Sequence, residues 1–328
     1  MMAGAVLLAS CSQAAERTTI PAGVPSVTTT THPTATTAPA DTPTSTHQPS
    51  QTPEPTPIIE QVLPPGDSIQ VNLFGLVPPD SLSAGYCDFQ RIMEDPALKS
   101  AFEAAPDVCP SLFSIPKGRV DQLISFGRIP DDPARAMMGI NYILHGEFTD
   151  VTLPELVKDL EFEDLVLQEY QGFEYMVEEK GEPFNLAVMI MDEANIVFGE
   201  ESGVLAIIDT ALGLNSPRLA DLGAVLPPAL TASVLINCPK YEDLGCTGLV
   251  IHALAEGTPS DLLLLQVYQF EDLDLAADAL DTITADIESG NTIQFGSMKI
   301  KGDTITQKGR FIFVEEYLPI EDIGMVFE

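Results

Sequence analysis

His145 stands two residues before Glu147 in a segment that alternates apolar and polar side chains, a spacing that places both on one face of a strand. An imidazole oriented by a carboxylate is the arrangement of a general base. His252 occupies the polar parity of a second strand-like segment. Neither histidine has an assignable nucleophile. The chain contains no GxSxG elbow, SxxK, Walker loop, HExxH or GxGxxG. Ser125 and Ser202 fall at a strand and at a helix start, where packing or capping accounts for them. We therefore expect exposed strand histidines and assign no catalytic residue.

Cysteine supplies the second set of reactive groups. Beyond residue 63 there are four, Cys87, Cys109, Cys238 and Cys246, and an even count suits disulfides in an oxidising compartment. Three pairings exist, of which the local one, Cys87 with Cys109 and Cys238 with Cys246, is the simplest. No CxxC occurs, and His145 and His252 are the only histidines in the same region, so neither a metal nor a cofactor is expected. His32 and His47 lie too far from other ligands to form a site. Acidic residues number 49 against 15 basic, for a formal net charge of −34. Such a field repels nucleic acid phosphates, so no nucleic acid partner is expected. The acidic clusters Glu161, Glu163, Asp164 and Glu271, Asp272, Asp274 do not match the calcium-loop spacing.

A fifth cysteine, Cys11, closes the short apolar run Ala5, Val6, Leu7 and Leu8, with Ala9 and Ser10 between. Leu8-Ala9-Ser10-Cys11 resembles the lipobox of bacterial lipoproteins. The resemblance implies removal of residues 1–10 as a signal peptide, lipidation of Cys11, and a cell-membrane location facing the extracytoplasmic side. No Lys or Arg precedes the run, which leaves two alternatives: a start upstream of Met1, or a buried Cys in a weak signal segment. Residues 11–63 then carry the lipidated Cys and a stalk of Thr, Pro, Ala and Ser, with too few large apolar groups to offset the entropy of ordering. Extended as polyproline II at about 3.1 Å per residue, some fifty residues reach roughly 150 Å. The same composition permits O-glycosylation.

The rest alternates strand and helix signals. Periodicity predicts strands at 69–76 and 119–126 around a helix over 86–105 that re-starts near Pro96, then a half-buried strand at 139–148. Thr152 with Glu155 forms a capping box before Leu153, Leu156, Val157 and Leu160. Strands follow at 165–178 and 185–198, then a helix over 204–212 capped by Gly213. After strands at 232–236, 248–255 and 262–270, a helix over 272–288 turns Leu273, Ala276, Ala277, Leu280, Ile283 and Ile287 inward. Strands at 292–301 and 304–315 close the chain.

Superposing 142–148 on 267–270 aligns the order strand, helix, strand, strand at a spacing of about 120 residues. The expected fold is α+β: two related units, 64–225 and 226–328, with antiparallel sheets and helices on one face. Four segments, Val77-Pro-Pro-Asp80, Val120-Asp-Gln-Leu-Ile-Ser-Phe-Gly127, Tyr170-Gln-Gly-Phe-Glu174 and the run from Phe198 to Asp209, resemble uncharacterised prokaryotic surface proteins of duplicated α+β form. That resemblance carries over no catalytic residue.

A turn at Gly302-Asp303 would set Ser297, Lys299, Lys301, Thr304, Thr306, Lys308 and Arg310 on one sheet face, with Met298, Ile300, Ile305 and Phe311 on the other. The lysines and Arg310 make a candidate anion-contact face on an acidic protein. Phe295, Phe311, Phe313 and Tyr317 alternate as core. The expected function is a non-catalytic binding or interaction module, anchored to the membrane and meeting an envelope protein or polysaccharide. The alternative is an envelope hydrolase of unrecognised type.

Overall fold

The computed structural model describes residues 69–104, 120–128, 140–159, 165–179, 185–217, 219–235, 237–258, 261–290 and 302–322, with only the backbone at 101–104 and 258. All of these belong to the compact unit Ile59–Glu328. Cys11, Cys109, Lys299, Lys301, the stalk and the expected strand at 292–301 lie outside them.

The first described element is a helix, α1 (Ile69–Gly75), where alternation predicts a strand. Gln70, Leu73 and Phe74 are its buried residues, an i, i+3, i+4 set that a seven-residue window cannot separate from period two. Next come β1 (Ser81–Asp88), α2 (Phe89–Glu94), α3 (Pro96–Ala104), β2 (Val120–Arg128) and β3 (Ile140–Gly146). The predicted helix over 86–105 thus begins at Phe89, because Tyr86 to Asp88 complete β1. It re-starts at Pro96 as expected.

Helix α4 (Leu153–Asp159) carries the expected capping box: the Thr152 N–H and hydroxyl both donate to Glu155 Oε2, at 3.2 and 2.7 Å. β4 (Leu165–Tyr170) and β5 (Phe173–Glu178), then β6 (Leu186–Ile190) and β7 (Asn195–Glu200), form two hairpins where the sequence suggests two long strands. Helix α5 (Glu201–Ala211) ends in a Schellman turn, with Gly213 N–H donating to the Thr210 carbonyl and Leu214 N–H to that of Asp209.

Then follow α6 (Ala220–Val225), β8 (Ala229–Leu235), a 3-10 turn at Pro239–Leu244, β9 (Cys246–Thr258) and β10 (Asp261–Phe270). Helix α7 (Leu273–Glu288) is capped by Asp272, whose carboxylate accepts from Leu275 N–H at 2.9 Å. Its buried stripe is Ala276, Ala279, Ile283 and Ile287, rotated from the predicted one, so that Leu273 is exposed. β11 (Thr304–Lys308) and β12 (Phe311–Pro319) make the last hairpin, and a 3-10 turn at Ile320–Asp322 ends the described chain.

The strands form a single antiparallel sheet in the order β11-β12-β10-β9-β8-β1-β2-β3-β7-β6-β5-β4. The α+β class is as expected. The helices, however, cover both faces. Leu73 and Phe74 of α1, Val204, Ile207 and Ile208 of α5, and Leu219 and Leu222 beside and within α6 share one core with Tyr86, Ile124, Ile143 and Val197. Ile92 of α2, Leu98 of α3 and the buried stripe of α7 pack on the opposite face, with Cys87, Leu249 and Leu264. Leu156 of α4 packs with Leu123 and Leu144 on that second face too, because Leu123 is the cross-strand partner of Cys87. Helices α2, α3, α4 and α7 share one face, and α1, α5 and α6 depart from the one-face expectation.

The sheet would be two sheets without the pairing of β1 with β8, from Ser83↔Leu235 to Cys87↔Thr231. Buried Gln70 fastens that junction from α1: its amide donates to the carbonyls of Gly223 and Pro227, at 3.4 and 3.3 Å, and its Oε1 accepts from Ala229 N–H at 2.8 Å. Gly223 lets α6 approach, since a Cβ there would lie 2.8 Å from Phe74 Cβ.

Helix α5 docks as closely. A Cβ on Gly203 would sit 1.9 Å from Oδ1 and 2.3 Å from Cγ of Asn141, a fully buried side chain of β3. Gly203→Ala is expected to destabilise the fold by about 1–3 kcal/mol through overpacking. Gly75→Ala, where a Cβ meets nothing within 4 Å, should stay within about 0.5 kcal/mol. Urea denaturation of the two variants against wild type reads the difference.

Candidate functional site

Polar side chains gather at one end of the first face, where β1 ends and β2 and β7 begin. Tyr86 hydroxyl donates to Gln122 Oε1 at 2.9 Å, and Gln122 Nε2 donates to Asp88 Oδ2 at 3.3 Å. Asp88 Oδ1 caps α2 by accepting from Arg91 N–H at 3.0 Å. Burial, more than any charge, raises the pKa of the Asp88 carboxyl. Burial raises Tyr86 as well, assisted by the Asp88 charge.

Gln122 pairs across the ladder with His145, and His145 with Asn195. His145 Nδ1 lies 3.1 Å from Asn195 Oδ1. Asn195 Nδ2 donates to both Asp192 oxygens at 2.9 Å. A carboxylate only accepts, which fixes the Asn195 amide with its oxygen toward the imidazole. His145 must then donate from Nδ1, so that in the neutral ring Nε2 is the acceptor. This is an oriented base, and its partner is Asn195, not Glu147. Glu147 lies past the end of β3 and is exposed. Asn195 was legible only through the β6–β7 turn that presents it. Among the described residues no Ser, Thr or Cys is hydrogen-bonded to His145.

His252 is corrected from exposed to buried. It sits on β9 opposite Ser233, and burial drives its pKa down to about 3. It is a neutral structural side chain. Ser125 packs centrally, its hydroxyl donating to the Gly85 carbonyl at 3.4 Å.

Cys238 and Cys246 are joined in a disulfide, Cα to Cα 5.6 Å, both buried beside Tyr241 and closing the 3-10 turn. Cys87 is disulfide-bonded too. Tyr241 hydroxyl donates to Asp286 Oδ2 at 2.9 Å and Lys240 pairs with the same carboxylate at 3.0 Å, tying that turn to α7.

Of the expected cationic face, Lys308 and Arg310 are described. A two-residue turn falls at Gly309-Arg310, with Gly309 at φ 60°, so the predicted strand 304–315 is a hairpin; the expected strand before the Gly302-Asp303 turn lies outside the described residues. This folding back puts Phe311 and Phe313 opposite Lys308 and Thr306, on the face the lysine occupies. Lys308 Nζ lies 4.8 Å from the Phe313 ring and 3.9 Å from Glu315, and Arg310 pairs with Asp221. Of the aromatics read as core, Phe313 is buried, Phe311 is partly so, and Tyr317 is 52% exposed.

A groove that sequence reasoning missed opens beside α5. Ser202, Leu205, Ala206 and Asp209 line it from α5, together with Pro79, Asp80, Arg128 and Asn215, around a volume of about 420 Å³. Arg128 pairs with Asp80 and donates to Ser202 Oγ at 3.2 Å. Asp209 accepts from the Tyr170 hydroxyl at 3.1 Å. The i, i+3, i+4, i+7 spacing on α5 was the available signal, read as a cap at Ser202.

Among the described residues no three His, Cys, Asp or Glu side chains converge as metal ligands would. No described helix is long and apolar enough to cross a membrane. No protein-family model matches the chain, and no curated protein matches it. A solved structure of TP0453, crystal form I, aligns over 77% of this chain and 95% of that chain, at 13% identity and a TM-score of 0.35. A likeness that loose carries no argument.

Two outcomes follow from the buried groups. With a folded-state pKa of about 3 against an ordinary 6.5, His252 takes up its proton only in the unfolded chain between those values. Its contribution is whole above pH 6.5 and falls away as pH drops toward 3, by roughly 1 kcal/mol per unit. His252→Gln should remove that slope from the difference in denaturation free energy across this window. Replacing Cys238 and Cys246 together by Ser should cost about 2–3 kcal/mol by the loop-entropy relation, read as a lowered denaturation midpoint.

Proposed function

We propose that the chain is an extracytoplasmic lipoprotein, held by acylated Cys11, that displays a non-catalytic interaction module on a Thr/Pro stalk. The observation that carries this reading is the buried Cys238–Cys246 disulfide, together with disulfide-bonded Cys87, because such bonds persist on the oxidising side of a membrane. Two or more acyl chains, at about 0.8 kcal/mol per buried methylene, anchor such a body stably where one does not. Its charge disfavours nucleic acid and leaves an envelope protein or polysaccharide as partner.

The module is read as a duplicated unit. The orders α1-β1-β2-β3-α4 and α6-β8-β9-β10-α7 correspond, β7 returns beside β3 as β12 returns beside β10, and β1 meets β8 antiparallel. On this reading a two-fold axis perpendicular to the sheet, between β1 and β8, would relate the halves. Such an axis would keep α1 with α6 on one face and α4 with α7 on the other, and the shared cores of these helices support it. The second unit would then begin with α6, at Ala220.

One observation favours the alternative, an envelope hydrolase: the oriented Nε2 of His145. No nucleophile accompanies it among the described residues, so the interaction module is preferred.

Metabolic labelling with a palmitate analogue should mark wild type and not Cys11→Ala, and the variant should leave the membrane fraction. Equal labelling of the two would remove the anchor. Cross-linking in membranes of the native cell should then capture an envelope partner through the wild-type module.

A further inference from the structure

We infer that the groove beside α5 binds an uncharged saccharide of the envelope, a ligand class that deepens the reading of a display module and rests on it. The argument is one of hydrogen-bond sign. Ser202 Oγ already accepts from Arg128 Nη1 at 3.2 Å, so its own proton is directed to another acceptor. Asp209 accepts from one hydroxyl, that of Tyr170, and a carboxylate has room for several more donors. Asn215, whose amide offers both signs, also lines the groove.

Donors and acceptors therefore stand together along a surface floored by Leu205 and Ala206. Sugar hydroxyls both give and accept, and a sugar ring presents C–H groups to an apolar floor. A phosphate or carboxylate would need unopposed donors, but the Arg128 charge is met by Asp80. A free amine would need acceptors alone. Asp80 and Asp209 against Arg128 leave one negative charge, which turns away acidic glycans. The volume, about 420 Å³, falls in the range of small-ligand sites.

Full-length protein should be titrated by NMR and calorimetry with cellobiose, maltose and N,N′-diacetylchitobiose, with polygalacturonate as the anionic comparison. At least one uncharged disaccharide should bind and polygalacturonate should not. Ala206→Phe, whose ring fills the groove, should weaken binding tenfold or more, and Ser202→Ala and Asp209→Asn several-fold each, with thermal melts reporting that the variants fold. If Ala206→Phe does not fold, the two polar variants decide. Absence of binding by all three disaccharides, or binding unmoved by these substitutions, overturns the proposal. That failure is distinct from failure of the module reading, which is scored by the cross-linked partner in native membranes.

Discussion

The pairing of β1 with β8 is the constraint on which the rest of the structure depends. Five residue pairs, Ser83↔Leu235 to Cys87↔Thr231, turn what would be two sheets into one. Each half on its own would end in a strand with unpaired backbone groups, which cost free energy when buried and invite pairing with other chains when exposed. Joining them places Tyr86, Ala84, Ala232 and Val234 at the centre of a core that spans both halves. The small residues at the junction matter as much as the large ones. Gly223 admits Phe74, and Gln70 satisfies the backbone where α6 gives way to β8.

Much of this was legible, and the failures have physical causes. Segments with caps read correctly: Thr152 with Glu155, Asp272 before α7, and Gly213 after α5 each mark a boundary by satisfying orphan groups at a helix end. Hairpins were missed where the turn looked like strand. Gln171-Gly172 and Gly309-Arg310 reverse the chain inside runs whose apolar alternation continues across the turn, and positive φ at Gln171, Gly172 and Gly309 is what permits it. Ile69 to Gly75 failed for lack of length. The use of both faces by helices was not readable either, because α1, α2 and α6 are six or seven residues long and carry only one or two turns of pattern.

The same division separates the polar clusters. A histidine's place on a strand can be read from parity, but its surroundings cannot. His145 and His252 looked equivalent, yet one is oriented by Asn195 and Asp192 at a sheet end and the other is buried on β9. Asn195 arrives from a hairpin some fifty residues away, and Asp80, Arg128 and Asp209 converge from three elements. Convergence of this kind is a property of topology, and local spacing carries no trace of it.

Strand β1 lies in the middle of the sheet, hydrogen-bonded to β2 on one side and β8 on the other, and α1 precedes it directly. Tension drawn through the amino-terminal end of the body would therefore peel α1 from α6 first and then bear on β1. A strand held on both flanks yields by shear, with its ladder bonds loaded together instead of parting one by one as at a free edge. The first strand of the described chain is thus one held from both sides.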